Sequence, residues 1–283
     1  MASSDTVQRC LQLLEILSGE SEGLALGEIA QQMELPKSNV HRLLASMITS
    51  GFVKQDSASQ RYLLTLRLTT LGFRFLTATG IIDLCQPVLD RLAARTAELV
   101  SMTITEGDRI SWVANAQGSR TGLRVDPRMG REVRVHTTAS GRVWLAGTST
   151  EFTMRILVKQ GFGDPSEVGP NAPMTVEAFL AALKQTREWG YGLAIEEDEP
   201  GTSAIAVPIS RGSDTPPVGT VSLTGPSARM TKEKLIAFLP ELRAAAEELA
   251  GIWSFVRLTH EHQQNTNGLA QNASLQQESA PEL

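Results

Sequence analysis

The stretch from Ala25 to Leu44 leaves this chain few ways to fold. It reads as two short helices joined by a tight turn. Pro36 opens the second helix near its first turn, where a missing backbone N–H removes no helical bond. Ile29, Ala30 and Met33 give the first helix an apolar stripe, and Val40, Leu43, Leu44 and Met47 do the same for the second. The opposite face of the second helix carries Lys37, Ser38, Asn39, His41 and Arg42 near its N-terminal end. That is where a recognition helix presents side chains to base edges and phosphates. Val53–Gln55, the turn residues 56–60 and Arg61–Leu63 then read as strand, turn and strand, a hairpin wing that adds Lys54 and Arg61 to the basic surface. Two helices and a wing imply a DNA reader.

Charge is the feature least in keeping with that reading. The 283 residues carry a formal charge of −5, whereas nucleic-acid-binding domains are usually basic. Within 1–66, Asp5, Glu15, Glu20, Glu22, Glu28, Glu34 and Asp56 outnumber Arg9, Lys37, Arg42, Lys54 and Arg61. The bases gather on the second helix and the wing while most acids precede the turn, and the local field at a groove outweighs the domain sum. Modest affinity per monomer follows, which a dimer would amplify.

A hydrophobic share of 41% and a charged share of 20% describe an ordinary globular chain. No apolar run approaches a membrane span, and 1–5 has no basic lead into a signal peptide, so a cytoplasmic location is expected. Cys10 and Cys85 sit at apolar helical positions and read as buried small hydrophobes.

Beyond the wing, Leu66, Leu68, Leu71 and Phe75 have helical spacing to about Thr79, predicting a linker helix over 67–79. Gly80 interrupts it, and the pattern resumes over 81–99 with Pro87 in its early part. These apolar residues fit either a core or contact with a second chain, with the second favoured. The period then changes. Residues 100–105 and 109–114 alternate and flank Glu106-Gly107-Asp108, which predicts a hairpin. The 118–134 stretch is Gly- and Arg-rich and irregular. Helices are expected over 140–146, 151–160 and 175–189, strands over 205–209 and 218–223, and one long helix over 231–256. Strands with packed helices make the fold α+β. The Gln-, Asn- and Ser-rich tail 260–283 has the composition of a disordered segment. The expected division is 1–66 for the DNA-binding domain, 67–79 for the linker, 80–259 for a second domain and 260–283 for the tail.

The segment Val7–Leu64 resembles the winged helix-turn-helix of the IclR family of bacterial transcriptional regulators. Leu35-Pro36-Lys37-Ser38-Asn39-Val40-His41-Arg42-Leu43-Leu44 carries most of the match, followed by Gly51-Phe52-Val53 and Arg61-Tyr62-Leu63. Asn39 stands where the family commonly has Thr, a departure that bears on base preference, and Thr65 where it commonly has Gly. The second region resembles the family's effector-binding domain, a GAF-like α/β sandwich. Its match lies in Val135 to Ala146, in Gly190-Tyr191-Gly192 through Glu196–Gly201 to Ile205–Pro208, and in Ser222-Leu223-Thr224-Gly225-Pro226. Arg142 replaces the usual Lys, which keeps the charge and changes hydrogen-bond geometry.

The resemblance implies an effector pocket lined by Ala139, Ser140, Ala194, Ala204, Ser222 and Thr224. Physical sense accompanies it. Thr138, Ala139 and Ser140 precede a short helix whose N–H groups can receive an anion, and Ser222 and Thr224 point two hydroxyls to one side of a strand. Ala194 and Ala204 stand where ligand-binding members often carry an acid and a cysteine, which implies a wider or more apolar pocket suited to an aromatic or longer ligand as well as to an organic acid. The plainer alternatives are that Ser140 only caps its helix and that Ser222 and Thr224 are ordinary strand residues. The run Glu196-Glu197-Asp198-Glu199 reads as a solvated turn.

Nothing points to catalysis, a cofactor or a metal. The sequence has no Gly-x-Ser-x-Gly elbow, no phosphate loop and no His-Glu-x-x-His. His41, His136, His260 and His262 lack ligand spacing, and Ser140 beside His136 lacks a third, orienting group. The expected partners are double-stranded operator DNA, a small-molecule effector and further copies of the chain as a homodimer or dimer of dimers. The expected role is a repressor of adjacent catabolic genes. A sensor or scaffold protein, or an enzyme using the second-domain pocket, is the alternative.

Overall fold

The computed structural model describes residues 2–253 except 128, 130, 131, 211 and 213–215; the 260–283 tail lies outside the described residues. The chain divides into two compact units at Ala78/Thr79.

The first unit contains α1 (Ala2–Ser18), α2 (Leu26–Gln32), α3 (Lys37–Thr49), β1 (Val53–Gln55), β2 (Tyr62–Leu64) and α4 (Arg67–Thr79). Glu34 takes a left-handed conformation (φ 53°) in the turn between α2 and α3, and Pro36 caps α3 without a side-chain bond. Leu13, Leu17, Ile29, Val40, Leu44, Val53 and Tyr62 form one buried core, which seats α3 on α1 and α2 and turns its polar face outward. β1 and β2 pair antiparallel, with Lys54 opposite Leu63. Leu24 adds a bridge to Tyr62. Gly23, at φ +68°, is required there, because a Cβ would lie 2.5 Å from the Tyr62 carbonyl oxygen.

The second unit is built on a five-stranded antiparallel sheet in the order β4-β3-β7-β6-β5. Its strands are β3 (Leu99–Glu106), β4 (Arg109–Gln117), β5 (Gly192–Ile195), β6 (Thr202–Ile209) and β7 (Gly219–Pro226). Alternation sends Val100, Met102, Ile205, Val207, Val221 and Leu223 to one face. There they pack with Val88, Leu89 and Leu92 of α5 (Ile81–Thr96), Leu235 of α9 (Lys232–Ala237), and Leu242 and Leu249 of the closing helix. The long helix expected over 231–256 is two helices: α9 ends at Phe238 and helix resumes over 239–253. Pro240 sits in the first turn of the second, the position a proline tolerates.

The other face holds α6 (Ala139–Ala146), α7 (Thr150–Gln160) and α8 (Val176–Trp189), whose shared core contains Trp144, Leu145, Ile156, Leu157, Phe179 and Leu183. Beneath α6 the sheet is lined by small side chains. Two cross-strand rows run across it, Leu99–Thr224–Ala204–Ala194 and Ser101–Ser222–Ala206–Gly192. This lets the helix backbone come down on the sheet. A Cβ at Gly192 would fall 2.4 Å from the Ala139 carbonyl oxygen, and one at Gly141 would fall 2.5 Å from the Val135 Cα. Strand β5 did not register as a strand in the sequence because Gly-Leu-Ala-Ile is short and carries little β-branched character.

Gly192→Val places a branched side chain against that backbone. Overpacking of this kind costs about 1–3 kcal/mol, so thermal unfolding followed by circular dichroism should show Tm falling by several degrees, with Gly212→Val, where nothing lies within 4 Å, as the neutral control.

Candidate DNA-binding face and effector cavity

Lys37, Ser38, Asn39, His41 and Arg42 are all exposed on α3, on the side opposite the buried Val40, Leu44 and Met47. Burial of that apolar stripe fixes the rotation of the helix, so the five polar side chains stand together as one outward surface. Lys54 is exposed on β1. Arg61 differs from the other bases. Its Nε donates to the Gly23 carbonyl (3.0 Å) and its terminal nitrogen pairs with Glu28 at 2.9 Å. Glu28 in turn accepts from the Ala25 amide at 2.7 Å. Arg61 therefore ties the wing to the start of α2, a role that spacing along the chain gave no sign of. At the wing tip Asp56 accepts from the amides of Ala58 and Ser59 and from the Ser59 hydroxyl, which together hold its carboxyl below the usual range.

In the second unit Ala139, Ser140, Ala194, Ala204, Ser222 and Thr224 all line one cavity of ≈ 70 Å³. Its floor is the rows of small residues on the sheet. Leu99, Trp112 and Val125 form apolar walls, and Asp126, Asp198 and Glu199 also border it. The N-terminus of α6 meets it. The first-turn amides of a helix lack intrahelical acceptors. Here the Thr138 hydroxyl accepts from the Gly141 amide (3.1 Å) and the Thr138 carbonyl from the Arg142 amide (3.2 Å). No acceptor among the described residues takes the amides of Ala139 and Ser140. The helix is therefore capped by Thr138, not by Ser140. The Ser140 residue is 3% exposed and Ser101 7% exposed. Neither hydroxyl is bonded to another described residue. Ser222 donates to the Ser101 carbonyl at 3.3 Å. Ser101, Leu99, Trp112 and the acidic border had no distinguishing motif; only the pairing of β3 with β7 brings the first two to the site.

The acidic run is more than a solvated turn. Glu196 opens it in a left-handed conformation (φ 51°), and Glu197 turns inward to pair with Arg142 of α6 at 2.9 Å. The Arg142 side chain also donates to the Leu193 carbonyl of β5. Burial pushes the Glu197 carboxyl above its ordinary range, opposed by the neighbouring Arg142 charge. Thr137 adds a second tie, donating to Asp198 at 2.7 Å. One arginine thus joins α6, β5 and the loop that borders the cavity.

The geometry offers no reacting constellation at Ser140. His136 is buried, packs its ring edge against Phe162 (5.2 Å between centroids) and makes no hydrogen bond to Ser140. Burial and the nearby Arg134 charge lower its pKa. Cys85 is fully buried, which pushes its thiol up to about 11. No described group of His, Cys, Asp and Glu is placed to hold a metal ion, and no described helix is long and apolar enough to cross a membrane.

Two family models cover these two regions. The IclR helix-turn-helix domain matches residues 6–57, and the C-terminal domain of bacterial IclR transcriptional regulators matches 73–250. The chain is 31% identical over 248 residues to the HTH-type transcriptional regulator KdgR of Escherichia coli, covering 87% of this chain and 92% of that one. It is 28% identical over 245 residues to the transcriptional repressor IclR of the same organism, covering 86% and 88%. A crystal structure of an IclR regulator from Silicibacter matches with a TM-score of 0.74 at 25% identity, covering 87% of this chain and 95% of that one. With a winged helix-turn-helix in one unit and a lined cavity in the other, the chain belongs to the IclR family of DNA-binding transcriptional regulators, which are not enzymes.

Proposed function

We propose that this protein is an effector-controlled repressor of adjacent catabolic genes in the bacterial cytoplasm, reading an operator through Lys37, Ser38, Asn39, His41 and Arg42 with Lys54 at its flank. Arg61 serves the same surface indirectly by holding the wing. A small molecule binds between α6 and the sheet, contacting Ala139, Ser140, Ala194, Ala204, Ser222 and Thr224. The observation that carries the reading is the convergence of those six residues, from four separate segments, on one cavity where two helix amides are without acceptors. Bound ligand shifts the DNA-binding equilibrium only by its differential affinity for the two arrangements of the protein.

The working unit in this proposal is at least a homodimer. Leu68, Leu71 and Phe75 share one stripe of α4 and are 38%, 43% and 68% exposed. Val7 and Leu11 of α1 are exposed as well. Contiguous apolar exposure of this kind on a folded chain marks a contact surface, and a second copy suits a reader of palindromic DNA. In sedimentation velocity, Leu71→Glu/Phe75→Glu should move the protein to monomer and weaken operator binding at least tenfold, while the far-ultraviolet spectrum stays unchanged. A variant that sediments like wild type would place the dimer contact elsewhere.

DNA reading is tested on the region upstream of the protein's own gene. Lys37→Ala and Arg42→Ala should each weaken binding. A residue on phosphate lowers the salt slope by about one and affects all sequences alike, whereas a residue on a base edge costs about 1–3 kcal/mol and relaxes specificity at one position. Arg61→Ala should act mainly on stability of the head. Equal, full-strength binding by both α3 variants would remove α3 as the reading element. Loss of repression predicts higher transcript levels of the neighbouring genes in a deletion strain, and lower levels would make the protein an activator.

A further inference from the structure

One wall of the effector cavity is held by few bonds. Val125 and Asp126 line the cavity from the irregular stretch 118–127, which follows β4. No residue of that stretch is buried, and Leu123 is 67% exposed. The stretch therefore gains little from the core, and a segment with so little buried contact opens more readily than the sheet beside it.

Among the described residues, two side chains from outside 119–127 bond to its backbone. Gln117, at the end of β4, donates through Nε2 to the Val125 carbonyl at 2.9 Å. Arg229, in the turn after β7, donates to the Leu123 carbonyl at 2.7 Å. The same guanidinium holds the Glu98 carboxylate through two nitrogens, at 2.5 and 2.9 Å. Glu98 leads into β3 and is 3% exposed. Its carboxylate sits against Gly225, where a Cβ would lie 2.8 Å away. Arg229 thus fastens the stretch to the ends of β3 and β7, the strands that bring Ser101, Ser222 and Thr224 to the cavity.

This wall divides two spaces. Val125, Asp126, Glu199 and Thr202 line the cavity and also line a more open groove bounded by Leu123, Pro127 and Pro226. The groove lies on the outer side of the same wall, and a molecule crossing from one to the other passes Val125 and Asp126.

We propose that 118–127 is a gate to the effector cavity and that Gln117 and Arg229 are the positioning residues that hold it closed. Moving it outward releases two carbonyls, with no core to unpack and no strand to unpair. The regulatory meaning of the gate rests on the cavity being the effector site; passage through it is a separate property and is measured separately.

Passage can be timed with a thiol reagent in place of the effector. Ser222, on the cavity floor, is 4% exposed. The full chain carries Ser222→Cys as reporter and Cys10→Ser to remove the half-buried thiol. Cys85 is kept as control, because it is fully buried in the core on the opposite face of the sheet and reacts only when the unit unfolds. The probe is N-ethylmaleimide, and mass spectrometry of the peptides separates the two thiols. Glu98→Gln/Arg229→Met removes both charges of the pair together, which leaves no buried charge without its partner. Gln117→Ala removes the other tie. The first should speed modification of the Ser222→Cys thiol at least tenfold and the second severalfold, with Cys85 unmodified in both. Arg124→Ala is the control within the gate, since that guanidinium pairs with Asp126 of the same stretch, and the rate should stay at the parent value. An unchanged rate with either tie removed overturns the gate and leaves the effector cavity standing. Acceleration of both thiols together, or an equal acceleration by Arg124→Ala, overturns the assignment of Gln117 and Arg229. A metabolite extract that alters operator binding of Ala204→Leu as it does that of wild type removes the cavity as the effector site, whatever the labelling rates.

Discussion

The second unit depends on one close approach, that of the α6 backbone to a sheet face cleared of large side chains. Gly192 lies under the Ala139 carbonyl, and Ala194, Ala204, Ala206, Ser101 and Ser222 continue the clearing across four strands. Large residues at these positions would raise the helix and close the space by packing into it. Small ones leave a hollow whose wall includes the least satisfied part of any helix, its first turn. The opposite face of the same strands carries Val100, Ile205, Val207, Val221 and Leu223 and supplies the cohesion that the hollow face lacks. Burial and vacancy alternate along each strand because side chains alternate.

The buried Arg142–Glu197 pair keeps that geometry in register. A buried ion pair contributes little net stability over an apolar substitute, yet removing one partner costs about 3–5 kcal/mol. Its value here is positional. The guanidinium reaches both the Leu193 carbonyl and the Glu197 carboxylate, and a lysine, a point charge on a flexible stem, would not hold the two with the same planar geometry. In the head, Arg61 plays a comparable part between Gly23 and Glu28. Both arginines are engaged in tying a loop or turn to a neighbouring element.

Much of this was legible in the sequence where the signal is local. Pro36 and the stripes of α2 and α3 announce the helix pair, and the polar side of α3 follows from helical period alone. The six cavity residues came from resemblance, and their meeting depends on strand order, since β3 and β7 are neighbours although more than a hundred residues apart in the chain. What was not legible is what depends on such distant pairing. Arg61 looks like any exposed wing base until Gly23 and Glu28 are placed beside it. Glu197 is one of four consecutive acids, and only the left-handed turn at Glu196 sends it inward. The break at Phe238 was hidden because the apolar period on either side of it continues nearly in phase. Leu99 and Trp112, which line the cavity together with Ala194 and Ala204, carry no motif.

The account's central claim is that the hollow beneath α6 is where a ligand acts on DNA binding. The most direct measurement is fluorescence anisotropy of Ala204→Leu on an operator fragment that the wild-type protein binds, with and without a metabolite extract that alters wild-type binding. The leucine fills the hollow and leaves every residue of the DNA-binding unit unchanged. The account predicts operator affinity within a few-fold of one wild-type state and no response to the extract. A variant that still responds as wild type does would contradict it.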